Sequence, residues 1–169
     1  MSITLHAAAT QTFLTSLRGL SHVLKKAEAN AIERKIDPSV FLNARLAPDM
    51  FHLTRQVQIA SDTAKGAAHR LAGLEIPKFD DNETTFAELQ ARIEKTVALI
   101  KSIPEDAING QENRQITIRT SPTSEMTFAG QDYLLNYAVA NFLFHVVTAY
   151  NILRENGVPL GKLDYFGRS

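Results

Sequence analysis

The stretch Gln131–Asn156, QDYLLNYAVANFLFHVVTAYNILREN, decides how the rest of the chain is read. Between Asp132 and Arg154 it carries no charged residue. As a helix it presents apolar side chains in nearly every direction, which predicts a helix surrounded by protein. Asn141, His145 and Thr148 follow one another at steps of four and three, with Tyr137 one turn earlier. These four share one helical face, and any chemistry is expected there. The uncharged run is long enough to span a bilayer. Asn136, Asn141, His145, Thr148 and Asn151 interrupt it, however, and each is costly in lipid. The reading is the central helix of a soluble bundle, not a membrane span.

Downstream of this helix, Gly157 supplies a C-cap and Pro159 forbids continuation. The tail LGKLDYFGRS is expected to pack back through Leu163, Tyr165 and Phe166. Upstream, Ile116 and Ile118 alternate with polar neighbours, as do Met126 and Phe128, with TSPTS between them. That pattern predicts a two-stranded hairpin just before the central helix.

Three more helices precede the hairpin. Phe13, Leu17, Leu20, Leu24, Ala27 and Ala31 form the stripe of a first helix that starts near Leu5, capped by Ser2 or Thr4, and ends by Ile36. Asp37–Pro38 opens a short helix to about Arg45, whose Val40, Phe41 and Leu42 should plug one end of the bundle. Pro48 is expected to start the second long helix. Its buried stripe is Met50, Leu53, Val57, Ala60, Ala64, Ala67 or Ala68, and Leu71, with Gly73 as C-cap. The polar linker KFDDNET then leads to Thr85 and Glu88, a capping box. Phe86, Leu89, Ile93, Val97 and Ile100 follow in a third helix ending before Pro104. The sum is one domain over 1–169: an all-α bundle of four long helices, with one short extra helix and a small β-hairpin before the last.

Composition narrows the function. The 169 residues hold 18 Lys plus Arg against 18 Asp plus Glu, so no basic field attracts nucleic acid or acidic lipid. Apolar content of 44% and charged content of 21% are those of an ordinary soluble globular chain. The absence of cysteine excludes disulfides, thiolate ligands and a Cys nucleophile. It also suits the cytoplasm, as does an amino terminus without the charged-then-apolar order of a secretory signal. There is no nucleophile elbow, no Walker loop and no dinucleotide fingerprint.

Among the histidines, His6 and His22 are too far apart for one site, His52 lies near a helix start, and His69 suits the last turns of its helix as a cation. Arg55, Gln58, Asp62 and Lys65, at steps of three, four and three, read as a solvated polar stripe. If that stripe turned instead to the central helix, Asp62 would orient His145 and raise its pKa.

The segment HVVTAYNILRENGVPLG resembles the closing signature of the DinB/YfiT-like superfamily of metal-dependent enzymes, through His145, Leu153, Arg154 and Gly157. The stretches RKIDPSVFLNARLAPDMFHLTRQVQIASDTAKG, TTFAELQARI and FAGQDYLLNYAVANFLFHVVTAYNILRENGVPLGK are similar to an uncharacterised bacterial branch, domain of unknown function nineteen-ninety-three. The resemblance covers nearly the whole chain. It implies an up-down-down-up four-helix bundle and, often, a homodimer; the alanine-rich half of the second long helix suits such pairing. It also implies three metal-binding histidines, one on the second long helix and an H-x-x-x-H pair on the last. Here that pair reads Asn141-Phe-Leu-Phe-His145, and Gln58 or Asp62 stands nearest the expected place on the second helix.

Two readings follow. In the first, the protein is a dimeric binding or structural module with a degenerate metal site, its pocket formed by Tyr137, Asn141, His145, Gln58 and Asp62. In the second, it is a divalent-metal-dependent enzyme of the thiol-transferase or hydrolase type, with zinc or nickel held weakly by His145 and an atypical ligand set.

Overall fold

The computed structural model describes residues 2–121 and 123–168, with no account of the Thr120 side chain. It is 64% helical. In chain order the elements are α1 (Leu5–Arg34), α2 (Pro38–Leu42), α3 (Leu53–Ala72), α4 (Phe86–Ser102), α5 (Glu105–Ile108), β1 (Gln115–Ser121) and β2 (Ser124–Ala129). The central helix follows without a break: α6 (Gly130–Asp132), a π-helical segment (Tyr133–Ala138) and α7 (Val139–Glu155). A final turn, α8 (Lys162–Tyr165), closes the chain.

Paired side chains give the direction of each long helix. Gln56 meets His145, Thr63 meets Asn141 and Arg70 meets Tyr133, so α3 and the central helix are antiparallel. Phe13 packs edge-on against Phe142, and Arg34 donates to the Asn156 carbonyl, so α1 runs parallel to the central helix. Ser21 bonds Gln90, while Leu14 and Lys101 line one groove, so α4 opposes α1. The order is up, down, down, up. Because α3 and α4 run the same way, the chain between them must return along their length. It does so as a strap, with Phe79 level with Lys65 and Glu83 level with Gln58.

The local chemistry mostly matches the sequence reading. Thr4 caps α1 by accepting from the Ala7 N–H. Thr85 and Glu88 form the capping box of α4. Gly73 ends α3 at φ 69°. Ile116 and Ile118 of β1 turn inward, while Met126 is 44% exposed. Within TSPTS, Pro122 lies outside the described residues.

Four expectations need correction. The second long helix begins at Leu53, not Pro48: the φ of proline suits a turn as well as a first helical turn, and His52 takes the N-cap. Met50 therefore lies in the preceding turn. The short helix stops at Leu42, where Asn43 bonds back to the Ser39 carbonyl, and Val40 points outward. Leu163 and Phe166 are exposed, so of the three expected residues only Tyr165 packs back, edge-on to Tyr150, and a further residue ties the tail down. Buried Asp164 accepts from Lys26 and from the Gly161 N–H, and pairs with His22. Burial works against that carboxylate, yet these bonds hold its pKa at about 2. Gly19 lets the tail close in, since a Cβ there would lie 2.0 Å from the Tyr165 carbonyl oxygen.

The fourth correction concerns the central helix itself, which is not surrounded. Asn136, Ala140, Phe144 and Val147 form an uncharged exposed strip. A four-helix ring buries only inward-facing stripes, so a helix apolar all round keeps one side outside. Conversely Ala60, Ala64, Ala67 and Ala68 are fully buried within the chain. They serve close packing inside the bundle, and none is left on the surface for a second copy.

Candidate functional site

The central helix is irregular where it leaves the hairpin. Over Tyr133–Ala138 it opens into a π-helix, a rare geometry that recurs at functional sites. There Tyr133 and Tyr137 stack with ring centres 6.0 Å apart, and Phe128 of β2 leans on both. Arg70 Nη1 donates to the Tyr133 hydroxyl at 3.2 Å. Burial raises the pKa of that phenol, and the nearby Arg70 charge opposes the shift.

Beside this cluster lies a cavity of about 220 Å³. Asp62, Thr63 and Arg70 line it from α3, Tyr133, Tyr137 and Asn141 from the central helix, and Ile118 and Arg119 from β1. Asn141 Nδ2 donates to Thr63 Oγ1 at 3.1 Å, and its carbonyl oxygen has no partner among the described residues. The Tyr137 hydroxyl makes no hydrogen bond among the described residues. Three of the expected pocket residues, Tyr137, Asn141 and Asp62, thus share one cavity.

The other two do not line it. His145 is one turn further along and pairs with Gln56, two residues before the expected Gln58. Gln56 Nε2 donates to the Phe51 carbonyl at 2.9 Å, which turns its Oε1 toward the imidazole. His145 Nδ1–H then donates to that oxygen at 2.7 Å. Its Nε2 is left as a lone pair with no hydrogen bond among the described residues. Burial, helped by the Arg55 charge, lowers the pKa of His145, which keeps the ring neutral near pH 7. Thr148 is not part of a polar network, because its hydroxyl bonds the Phe144 carbonyl in its own helix.

Gln58 points the other way, donating to Glu83 at 2.9 Å and accepting from Arg55. The stripe Arg55–Gln58–Asp62–Lys65 is neither a solvated face nor a partner for His145. It faces α4 and the strap. Arg92 of α4, its side chain 1% exposed, binds Asp62 at 2.9 Å, Asp81 at 3.0 Å and Glu83 at 2.8 Å. Arg55 also binds Asp81. The Phe79 ring lies among three cations, with Lys65 Nζ 3.7 Å and Lys95 Nζ 4.2 Å from its centre. The carboxylates raise the pKa of Arg92 although burial opposes the charge. This cluster escaped the sequence reading. The acidic run in KFDDNET opposite the basic positions of two amphipathic helices was its only trace.

A resident transition metal does not fit the residues present. Among the described residues no three His, Cys, Asp or Glu side chains are placed so that they could hold a metal ion together. His145 faces an amide, and Asn141 is engaged with a hydroxyl; both are poor donors for zinc or nickel. By helical spacing, the α3 positions between Gln56 and Thr63 on this face are Ile59 and Ala60, which offer only carbon. A larger cavity, about 600 Å³ between α1 and α4, lies elsewhere. Its walls mix aliphatic side chains with Thr15, Arg18, Ser21, Glu94 and Lys101, but none of the expected pocket residues reaches it, so the smaller cavity, which gathers three of them, is the candidate.

Comparisons agree with this fold. A crystal structure of a DinB family member protein from Shewanella denitrificans is 40% identical, covers 98% of this chain and 93% of its own, and superposes with a TM-score of 0.89. Comparison with curated proteins gives no match. The family model described as Domain of unknown function (DUF1993) matches residues 5–166. With its DinB-like bundle, the chain belongs to the DUF1993 family.

Proposed function

We propose that this protein is a binding module whose working site is the cavity between α3, the hairpin and the π-helical segment, and that the metal-ligand face beside it is degenerate. One observation carries the reading: a phenol and an amide carbonyl, on Tyr137 and Asn141, line a cavity and have no hydrogen-bond partner among the described residues. Unmade hydrogen bonds in a half-enclosed site are what a polar ligand satisfies. The donor set around His145 supports binding over metal-dependent catalysis, because the amide and hydroxyl partners it meets do not activate water.

The module works as a two-fold homodimer. The uncharged strip Asn136–Ala140–Phe144–Val147, with Phe144 56% exposed, supports pairing of two central helices across an axis. Sedimentation at micromolar concentration is expected to give twice the chain mass, and Phe144→Glu to give a monomer. A wild-type monomer contradicts this part.

The binding reading is tested by screening small polar fragments for an increase in melting temperature. Hits are expected to lose their effect in Asn141→Leu. A screen whose hits all persist in that variant places the ligand elsewhere and overturns the reading.

A further inference from the structure

Asp62, Gly66 and Arg70 occupy one face of α3 at successive steps of four. Eight residues separate the acid from the base, roughly 12 Å along the axis. Arg70 shortens that distance by folding back. Its Nη1 lies 2.6 Å from where a Cβ on residue 66 would be, so the guanidinium rests on the bare backbone of Gly66. That brings it to within about one turn, roughly 6 Å, of the level of Asp62.

Both charges are incompletely used. Arg70 has no carboxylate partner among the described residues, and its one side-chain bond goes to the neutral Tyr133 hydroxyl. Asp62 commits Oδ1 to Lys65 and Arg92, while Oδ2 has no partner among the described residues. The carbonyl of Asn141 adds an acceptor. The cavity therefore offers a forked cation without a carboxylate partner and two acceptors, while the second guanidinium on its wall, Arg119 of β1, is already paired with Glu125. Its volume of about 220 Å³ restricts the occupant. Drug-sized ligands occupy about 300–1,000 Å³, so this one has a handful of heavy atoms.

From this arrangement we infer that the cavity binds a small zwitterion of the α-amino acid class. Arg70 takes the carboxylate, while Asp62 Oδ2 and the Asn141 carbonyl take the ammonium. The guanidinium fork matches a carboxylate in geometry, and the seat on Gly66 holds it in place before the ligand arrives. A simple carboxylate leaves the acceptor end unsatisfied, and a simple amine leaves Arg70 unpaired. Discrimination against each comes from the half of the site that it cannot use. The inference rests on the binding reading above and adds its ligand class.

The test is calorimetry on the full chain with L-alanine, propionate, propylamine and inorganic phosphate as probes. L-Alanine is expected to bind, with each single-charge probe weaker by on the order of tenfold or more, the scale of one lost charge-assisted contact. Arg70→Gln should abolish alanine binding, and Gly66→Ala, which displaces the guanidinium from its seat, should weaken it. The second variant keeps the arginine and removes only its seat, and alanine favours a helix, so the fold is retained. Asp62→Asn should reduce alanine to the affinity of propionate. Propionate or phosphate binding as tightly as alanine overturns the zwitterion class and leaves a plain anion site. Alanine binding unaffected by Gly66→Ala and Arg70→Gln overturns the site. If no probe binds while the fragment screen gives Asn141-dependent hits, the ligand class is wrong and the binding reading stands. If both are empty, both fall.

Discussion

Helix α3 has two polar faces built on opposite principles. Toward α4 and the strap it shows Arg55, Gln58, Asp62 and Lys65, tied into a charged cluster around buried Arg92. Toward the central helix it shows Gln56 and Thr63, neutral groups paired one to one with His145 and Asn141. The charged face fastens a connection that has to run the length of the bundle. The neutral face lies where related chains are expected to carry imidazoles, and its hydrogen bonds are single pairs between two helices. One helix thus turns a charged cluster and two neutral pairs to different neighbours, and Asp62 is shared between the cluster and the cavity.

The contrast predicts unequal damage. Arg92→Met removes the hub of the charged face and leaves Asp62, Asp81 and Glu83 without their common partner. Breaking a buried pair from one side costs about 3–5 kcal/mol. Asp62 and Asp81 remain over a third exposed, so ~3 kcal/mol at the low end of that range is expected from denaturant melts. Limited proteolysis should cut first within residues 78–84. A variant as stable and protease-resistant as wild type removes Arg92 from its place as hub.

On the neutral face, His145→Ala strands the Gln56 carbonyl and should cost about 1–3 kcal/mol. The same ring gives a pH signature. Its pKa is lowered on folding, so below the unfolded value near 6.5 the unfolded chain binds a proton that the folded chain refuses. Stability should therefore fall as pH drops from 7 through 5.5, and fall less in His145→Gln. Asp164 does not interfere in that window. Its depressed carboxyl contributes fully above about 3.8 and loses its contribution only as pH falls toward about 2. A wild-type melting temperature flat between pH 7 and 5.5 contradicts a buried neutral His145. Smaller again, Thr63→Val removes one hydrogen bond to Asn141 and should cost about 0.5–1.5 kcal/mol. An unchanged melting temperature would mean that Asn141 is held by something else.

The difference between the faces also marks what the sequence could reveal. Periodicity located every long helix, because apolar spacing is a property of one segment alone. It located the polar stripe Arg55–Gln58–Asp62–Lys65 equally well, but not its partners. Its bonds to Asp81, Glu83 and Arg92 span 26, 25 and 30 residues, and pairing across that distance depends on packing. The α3 position opposite His145 was missed by two residues, Gln58 for Gln56, and two residues turn a helix by about 200°, onto its other side. Starting α3 at Pro48 belongs to the same class of error, since proline reads alike in a turn and in a helix. Arg70 carried no signal at all: its importance comes from Gly66 beneath it and Tyr133 above it, and only the fold brings these together. The π-helical segment likewise has no spacing of its own to find.

The central claim, that the face around His145 is a degenerate metal site, meets its most direct test in a metal titration. Zinc and nickel are titrated calorimetrically into wild type, Gln58→His/Asn141→His and Gln56→His/Asn141→His. The geometry predicts weak binding in wild type and in the Gln58 pair, whose new imidazole points at the strap. It predicts a tight one-to-one site in the Gln56 pair, with a matching rise in melting temperature. Sub-micromolar, His145-dependent binding by the wild-type chain would contradict the account and restore the metal-dependent enzyme.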